Sequence, residues 1–154
     1  MPTCTITDET GCQFLNAADR LMFVAHKGMR GIDHSGFQCQ THVWLAGRLD
    51  AVALRSALCR LHKAYPVVTS RLEDPGGRAV PCWRFRPEAT PELKEIELTG
   101  SDEAAVFQYA ERLFERPMDH DRDDPISFHL IHLPDRRDVL LLSFSHVLMD
   151  GKAP

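Results

Sequence analysis

The run Val139-Leu140-Leu141-Leu142-Ser143-Phe144 constrains this chain more than any other segment. A strand with one wet face shows a polar residue at every second position. This run shows almost none, so both of its faces need cover, as in a central strand. The longest unbroken apolar stretches, Leu21–Ala25 and Val139–Leu142, fall far below the ~18–20 residues of a bilayer-spanning helix, so no transmembrane segment is expected. A length of 154 residues suits one domain with a sizeable core, and 44% hydrophobic content argues against disorder. With 18 basic and 22 acidic side chains the formal charge is −4, which makes a nucleic-acid backbone a poor partner. The start, Met1-Pro2-Thr3-Cys4, has no basic region followed by an apolar stretch. No secretory signal is therefore expected, and the cytoplasm is the expected compartment.

The remaining elements follow from periodicity and punctuation. Asn16 can cap a helix from about Ala17 to Lys27, with Leu21, Met22 and Ala25 on one side. Three glycines between Gly28 and Gly36 mark a loop. Phe37 to Leu45 alternates as a strand, with Phe37, Cys39, Thr41, Val43 and Leu45 facing one way. Asp50 caps a helix over about Ala51–Ala64 whose stripe is Leu54, Ala57, Leu58 and Leu61, and Pro66 ends it. Val67 to Leu72 is β-rich, Asp74-Pro75-Gly76-Gly77 is a turn, and Ala79 to Phe85 returns as a hairpin partner. Leu93 to Leu98 is a short strand. Ser101 caps a helix over about Asp102–Glu115, with a stripe of Val106, Tyr109, Ala110, Leu113 and Phe114. Met118 to Asp124 reads as a charged loop; its run Asp119 to Asp124 could hold a cation, but with no EF-hand spacing it reads as solvated. Ile126–Leu133 and Asp138–Ser145 form a hairpin across Pro134-Asp135-Arg136-Arg137. The expected fold class is α/β, an α+β two-layer sandwich: a mixed, largely antiparallel sheet with helices packed on one face.

Five cysteines (Cys4, Cys12, Cys39, Cys59 and Cys82) at wide spacings, with no C-x-x-C, point to reduced thiols. Cys39 and His42, with His34 nearby, suggest a metal site only superficially. Offsets of three along a strand put side chains on opposite faces, and the same holds for His129 and His132. No metal is expected. Trp44 and Trp83 read as packing residues.

The chemistry-bearing motif directly follows the buried strand: Ser145-His146-Val147-Leu148-Met149-Asp150-Gly151. An imidazole at the mouth of a central strand is held by a rigid element, and its ordinary pKa near ~6.5 leaves it neutral enough to accept a proton. Taken alone, the pattern is more simply a strand-end His followed by a turn-forming Asp-Gly.

Its context changes that weight. Leu15-Asn16-Ala17-Ala18-Asp19, Val43 to Asp50, Leu54-Arg55-Ser56-Ala57-Leu58, Tyr65 to Leu72, Pro125 to Leu130 and the Leu-rich strand into His146 occur in that order. As an ordered set they resemble the N-terminal half of the condensation-domain and CoA-dependent acyltransferase superfamily, which has the chloramphenicol acetyltransferase-like fold. The family motif is His-His-x-x-x-Asp-Gly, and its catalytic second His matches His146; Ser145 replaces the first. The resemblance implies that His146 deprotonates an alcohol or amine that attacks an acyl thioester. It implies that Asp150 is structural and pairs with an arginine, for which Arg71 is the candidate, and that Gly151 leaves room for the substrate channel. The replacement at Ser145 disfavours peptide-bond formation but not acyl transfer.

The same resemblance implies that residues 1–154 form one N-terminal lobe without its C-terminal lobe, a fragment inactive or nearly so by itself. The co-substrate would be acyl-CoA or the phosphopantetheinyl arm of an acyl carrier protein, with no tightly bound cofactor. The partners would be the missing lobe, a small acyl donor and an acceptor. Two further readings stand beside it: a non-catalytic scaffold or carrier-protein docking module, and self-association through an exposed half-interface.

Overall fold

A computed structural model describes residues 11–29, 38–77, 79–100, 102–116 and 118–148. Among the described residues the order is β1 (Cys12–Phe14), α1 (Ala17–Met29), β2 (Gln38–Leu45), α2 (Ala51–Ala64), a short 3-10 turn (Pro66–Thr69), β3 (Arg71–Glu73), β4 (Cys82–Arg84), β5 (Leu93–Glu97), α3 (Glu103–Phe114), β6 (Ile126–His132) and β7 (Asp138–Ser145). The larger sheet has the strand order β2-β7-β6-β5 and the smaller one β1-β4-β3. β7 is interior, as its composition requires. It pairs antiparallel with β2 from Gln38↔Ser145 to Leu45↔Asp138, and with β6 from Ile126↔Phe144 to His132↔Asp138. β5 joins β6 in parallel, so the sheet is mixed and largely antiparallel.

The expectation of helices on one face is corrected. Leu54, Leu58 and Leu61 of α2 pack against Ile126, Phe128, Leu130, Leu142 and Phe144. Val106, Tyr109, Ala110 and Leu113 of α3 pack against Ile131, Val139, Leu141 and Trp44. Alternation puts these two sets on opposite faces of the sheet. The physical reason lies in β7 itself: a strand apolar on both sides needs a layer on each.

Helix starts follow local chemistry. The Asp50 side chain accepts from the Val52 and Ala53 N–H groups, and Asn16 Oδ1 accepts from those of Ala18 and Asp19. Asp102 caps α3 by accepting from the Ala105 N–H at 3.0 Å. Ser101, the expected cap, lies outside the described residues. The stripe expected on α1 is displaced. Phe23 and His26 are its buried residues, Met22 is partly buried, and Leu21 is 69% exposed. α1 lies over the smaller sheet, where Phe23 meets Leu15, Leu72 and Trp83.

Two further expectations change. The β-rich segment after α2 is mostly the 3-10 turn, and β3 begins only at Arg71. The five thiols are not all free: Cys12 and Cys82 form a disulfide that ties β1 to β4 across 70 residues of sequence, while Cys39 and Cys59 are free. Cys12 lies in a three-residue strand with no periodic signal, and strand pairing across such a separation leaves no local trace.

The junction of β2, α2 and β7 is held by Asp138, which is fully buried. Its carboxylate accepts from Arg48 Nη1 at 2.8 Å, from the Leu49 N–H at 2.7 Å and from His132 Nδ1 at 2.8 Å. Burial pushes the Asp138 carboxyl up, but the Leu49, His132 and Arg48 hydrogen bonds outweigh it and hold the group below its ordinary range. Burial likewise depresses His132, yet hydrogen bonds to Asp138 and Glu95 prevail and raise it above 6.5.

Asp138→Ala leaves the part-buried Leu49 N–H and the Arg48 and His132 side chains without this acceptor and is expected to cost about 1–3 kcal/mol in urea unfolding. A loss below about 0.5 kcal/mol contradicts the assignment. The pH dependence has a defined sign. The Asp138 contribution is complete above the ordinary Asp range and is lost as pH falls through its depressed folded value. The His132 contribution is complete below its ordinary value and is lost as pH rises through its raised one. The stability gap between wild type and His132→Gln should therefore shrink from about pH 5 to about pH 9; a gap that widens refutes this account.

Candidate active site

β7 delivers the motif to a closed turn. The Ser145 N–H donates to the Pro125 carbonyl at 2.9 Å, and the Leu148 N–H donates to the Ser145 carbonyl at 3.0 Å. Ser145 Oγ accepts from the Val147 N–H at 3.1 Å. His146 is the first residue of this turn and is partly buried. Its neighbours are more deeply set: Ser145 and Val147 are each 1% exposed, and Val147 packs with Leu15, Phe23, Leu72 and Trp83. The imidazole is thus carried between two anchored residues, which suits a group that must meet a substrate at fixed geometry.

Arg71 opens β3. It forms an ion pair with Asp124 and donates to the Ser70 carbonyl at 3.1 Å. Arg86 reaches the same Asp124 oxygen at 3.0 Å. Asp150 and Gly151 lie outside the described residues, so the expected Arg71–Asp150 pairing falls outside them too.

The charged run from Asp119 to Asp124 is solvated only in part: Asp121 and Arg122 are exposed, but the segment is anchored at its start. Met118 and His120 are buried, and the His120 carbonyl accepts from the Leu72 N–H at 2.9 Å. His120 Nε2 lies 2.6 Å from Ser145 Oγ. The sequence showed this histidine only as part of the charged run Asp119 to Asp124, because Ser145, Leu72, His26 and Trp83 lie far from it along the chain. The one usable signal was a lone imidazole among carboxylates.

Arg71 borders two surface cavities. One, of about 310 Å³, is lined by Gln38, Ser127, His129 and Ser143 together with Arg71 and Asp124. The other is an open groove of about 830 Å³ beside Phe14, Glu73, Arg84 and Arg86. In the first, His129 Nδ1 is 2.8 Å from the Tyr109 hydroxyl and its Nε2 is 3.1 Å from Ser127 Oγ. Burial, with a smaller push from the Lys94 charge, lowers the His129 imidazole to about 4.

Among the described residues, the side chains that superficially suggested a metal site do not converge. Cys39 and His42 fall on opposite faces of β2, His34 lies outside the described residues, and His129 and His132 are divided between the faces of β6. Cys12, Glu73 and Cys82 bring ligand atoms within 4.8 Å of one another, but the two sulfurs are bonded to each other. A disulfide offers no thiolate to an ion.

The family model described as "Condensation domain" matches residues 13–153, and the chain belongs to the condensation-domain family. Solved structures agree on the fold. The starter condensation domain of the rhizomide synthetase RzmA, in a doubly substituted form, superposes with a TM-score of 0.76 at 14% identity, over 91% of this chain and 33% of that one. The first condensation domain of the calcium-dependent antibiotic synthetase, in complex with a substrate analogue, gives 0.71 at 24% identity, over 86% of this chain and 32% of that one. A singly substituted RzmA starter domain in complex with C8-CoA gives 0.73 at 13% identity, over 86% and 30%. The chain therefore spans about a third of the condensation domains it matches. No curated protein matches it. No helix among the described residues is long and apolar enough to cross a membrane.

His129 is expected to stay neutral down to acid pH. In a titration followed by imidazole NMR its midpoint should fall near 4, and a midpoint near the ordinary 6.5 contradicts the geometry described for it.

Proposed function

We propose that this chain is the N-terminal lobe of an acyltransferase, and that His146 is its general base. The observation that carries the reading is the placement of a partly buried His146 on a clamped turn at the end of the central strand, in a chain of the condensation-domain family. The acyl donor is a thioester of CoA or of a carrier-protein phosphopantetheine arm, and the C8-CoA complex of a similar domain favours the CoA form. The acceptor is a small alcohol or amine.

The chemistry balances with one base. The neutral imidazole of His146 takes the proton of the hydroxyl or amine as the nucleophile attacks the thioester carbonyl. The carbonyl oxygen gathers negative charge in the tetrahedral intermediate. Collapse expels the thiolate, which takes the proton back from the imidazolium. Donors to the developing oxyanion have to surround the reacting carbon, and a lobe spanning a third of a condensation domain supplies only one side of that shell. Asp150 serves the turn as a structural group with Arg71 as its partner, and Gly151 keeps the substrate path open. The remaining lobe of the same protein and, where the donor is carrier-bound, an acyl carrier protein are the partners. The reaction belongs in the cytoplasm; there the Cys12–Cys82 bond would form against a reducing pool.

An acyl-CoA and acyl-carrier assay tests the proposal. The polypeptide that includes the second lobe should turn over, and His146→Ala should lower its kcat/KM by about 10²–10⁴-fold. Unchanged activity in that variant refutes the role of His146 and favours a scaffold or docking module. The 154-residue chain alone should show only background turnover; robust turnover by it, lost in His146→Ala, contradicts the requirement for a second lobe.

A further inference from the structure

We infer that His120 is a positioning residue for His146 and acts through the Ser145 hydroxyl. The inference rests on His146 being the reactive group, and it extends the site to a segment 26 residues earlier in the chain. His120 is 3% exposed, and its Nε2 lies 2.6 Å from Ser145 Oγ. Its ring meets His26 edge-on at 4.3 Å between centroids and lies 5.9 Å from Trp83. Its backbone carbonyl holds the Leu72 N–H of β3. The imidazole therefore has little freedom of its own.

The Ser145 hydroxyl links this fixed ring to the turn. The same Oγ that meets His120 accepts from the Val147 N–H, so one oxygen bridges the loop and both sides of His146. A serine side chain has three staggered rotamers, and its hydroxyl rotates to suit whatever partners it has. Here one ring nitrogen and one backbone N–H select a single rotamer. The His146 backbone cannot turn without breaking the Oγ contact or lifting Val147 from its apolar cluster. The loop closes on the turn a second time, where the Pro125 carbonyl accepts from the Ser145 N–H. The loop and the strand end are thus joined at two points, one through the side chain and one through the backbone. Removing the Nε2 contact should leave the backbone link intact and free the hydroxyl to choose other rotamers.

Imidazole NMR on the 154-residue chain, with ¹⁵N-labelled histidine, tests this without any assay. His120→Phe fills the ring volume but lacks the nitrogen, Ser145→Ala removes one oxygen, and His120→Gln restores a nitrogen near the place of Nε2. The His146 ring signals should shift or broaden in His120→Phe and in Ser145→Ala and return toward wild type in His120→Gln. The signals of His129 and His132, on β6, should hold still in all three. Unchanged His146 signals in folded Ser145→Ala or His120→Phe protein overturn the inference. Ser145→Ala decides the matter should His120→Phe fail to fold. In the longer active polypeptide, His120→Phe should lower kcat by about ten- to hundredfold with KM little changed, and His120→Gln should recover most of it. If His146→Ala leaves activity intact, the general-base reading fails while the NMR result still judges the link between His120 and His146.

Discussion

The burial of β7 on both faces is the constraint on which the rest of this structure depends. An apolar strand in the middle of a sheet needs neighbours on both edges and a layer on both sides. β2 and β6 supply the edges, and α2 and α3 supply the layers. The two ends of the strand are fixed by polar contacts. Asp138 gathers Arg48, Leu49 and His132 at its start, and Ser145 gathers Pro125, Val147 and His120 at its end. A side chain placed just beyond such a strand inherits its rigidity, and His146 is that side chain.

Much of this was legible in the sequence because it is local. The Asp50 cap and the Leu54, Leu58, Leu61 stripe defined α2, the Val106 to Leu113 stripe defined α3, and Pro134 to Arg137 marked the β6–β7 hairpin. The alternation of β2 was read with the correct sides from Gln38 to Leu45, while Phe37 lies outside the described residues. What escaped was set by distant partners. α1 carries apolar residues nearly all round, so its own periodicity could not show that Phe23 and His26, rather than Leu21, meet the core. β1 is three residues long and owes its existence to β4 and the Cys12–Cys82 bond. The run from Asp119 to Asp124 is solvated at Asp121 and Arg122 but not at His120, because charge count measures solvation only where no partners approach. Arg71 of β3 and Arg86, just beyond β4, come from elsewhere in the chain to meet Asp124.

The candidate site was legible to a different extent. The sequence pointed to His146 because a motif and a buried strand adjoin in the chain. It could not point to His120, whose contact with Ser145 spans 25 residues and depends on how the loop folds back. The replacement of the first motif histidine by Ser145 is compatible with this arrangement, since a hydroxyl can bond the His120 ring and the Val147 N–H at once. Family membership and the neighbouring solved domains establish the fold around these residues.

Affinity labelling tests the central claim most directly. A haloacetyl-CoA carries an electrophilic carbon next to the thioester, where a base poised over that thioester can be alkylated. The polypeptide containing both lobes is treated with this reagent, digested and mapped by mass spectrometry. The account predicts an adduct on the His146 imidazole, suppressed by excess acyl-CoA. Labelling confined to other residues, or labelling of His146 that acyl-CoA does not suppress, would contradict it.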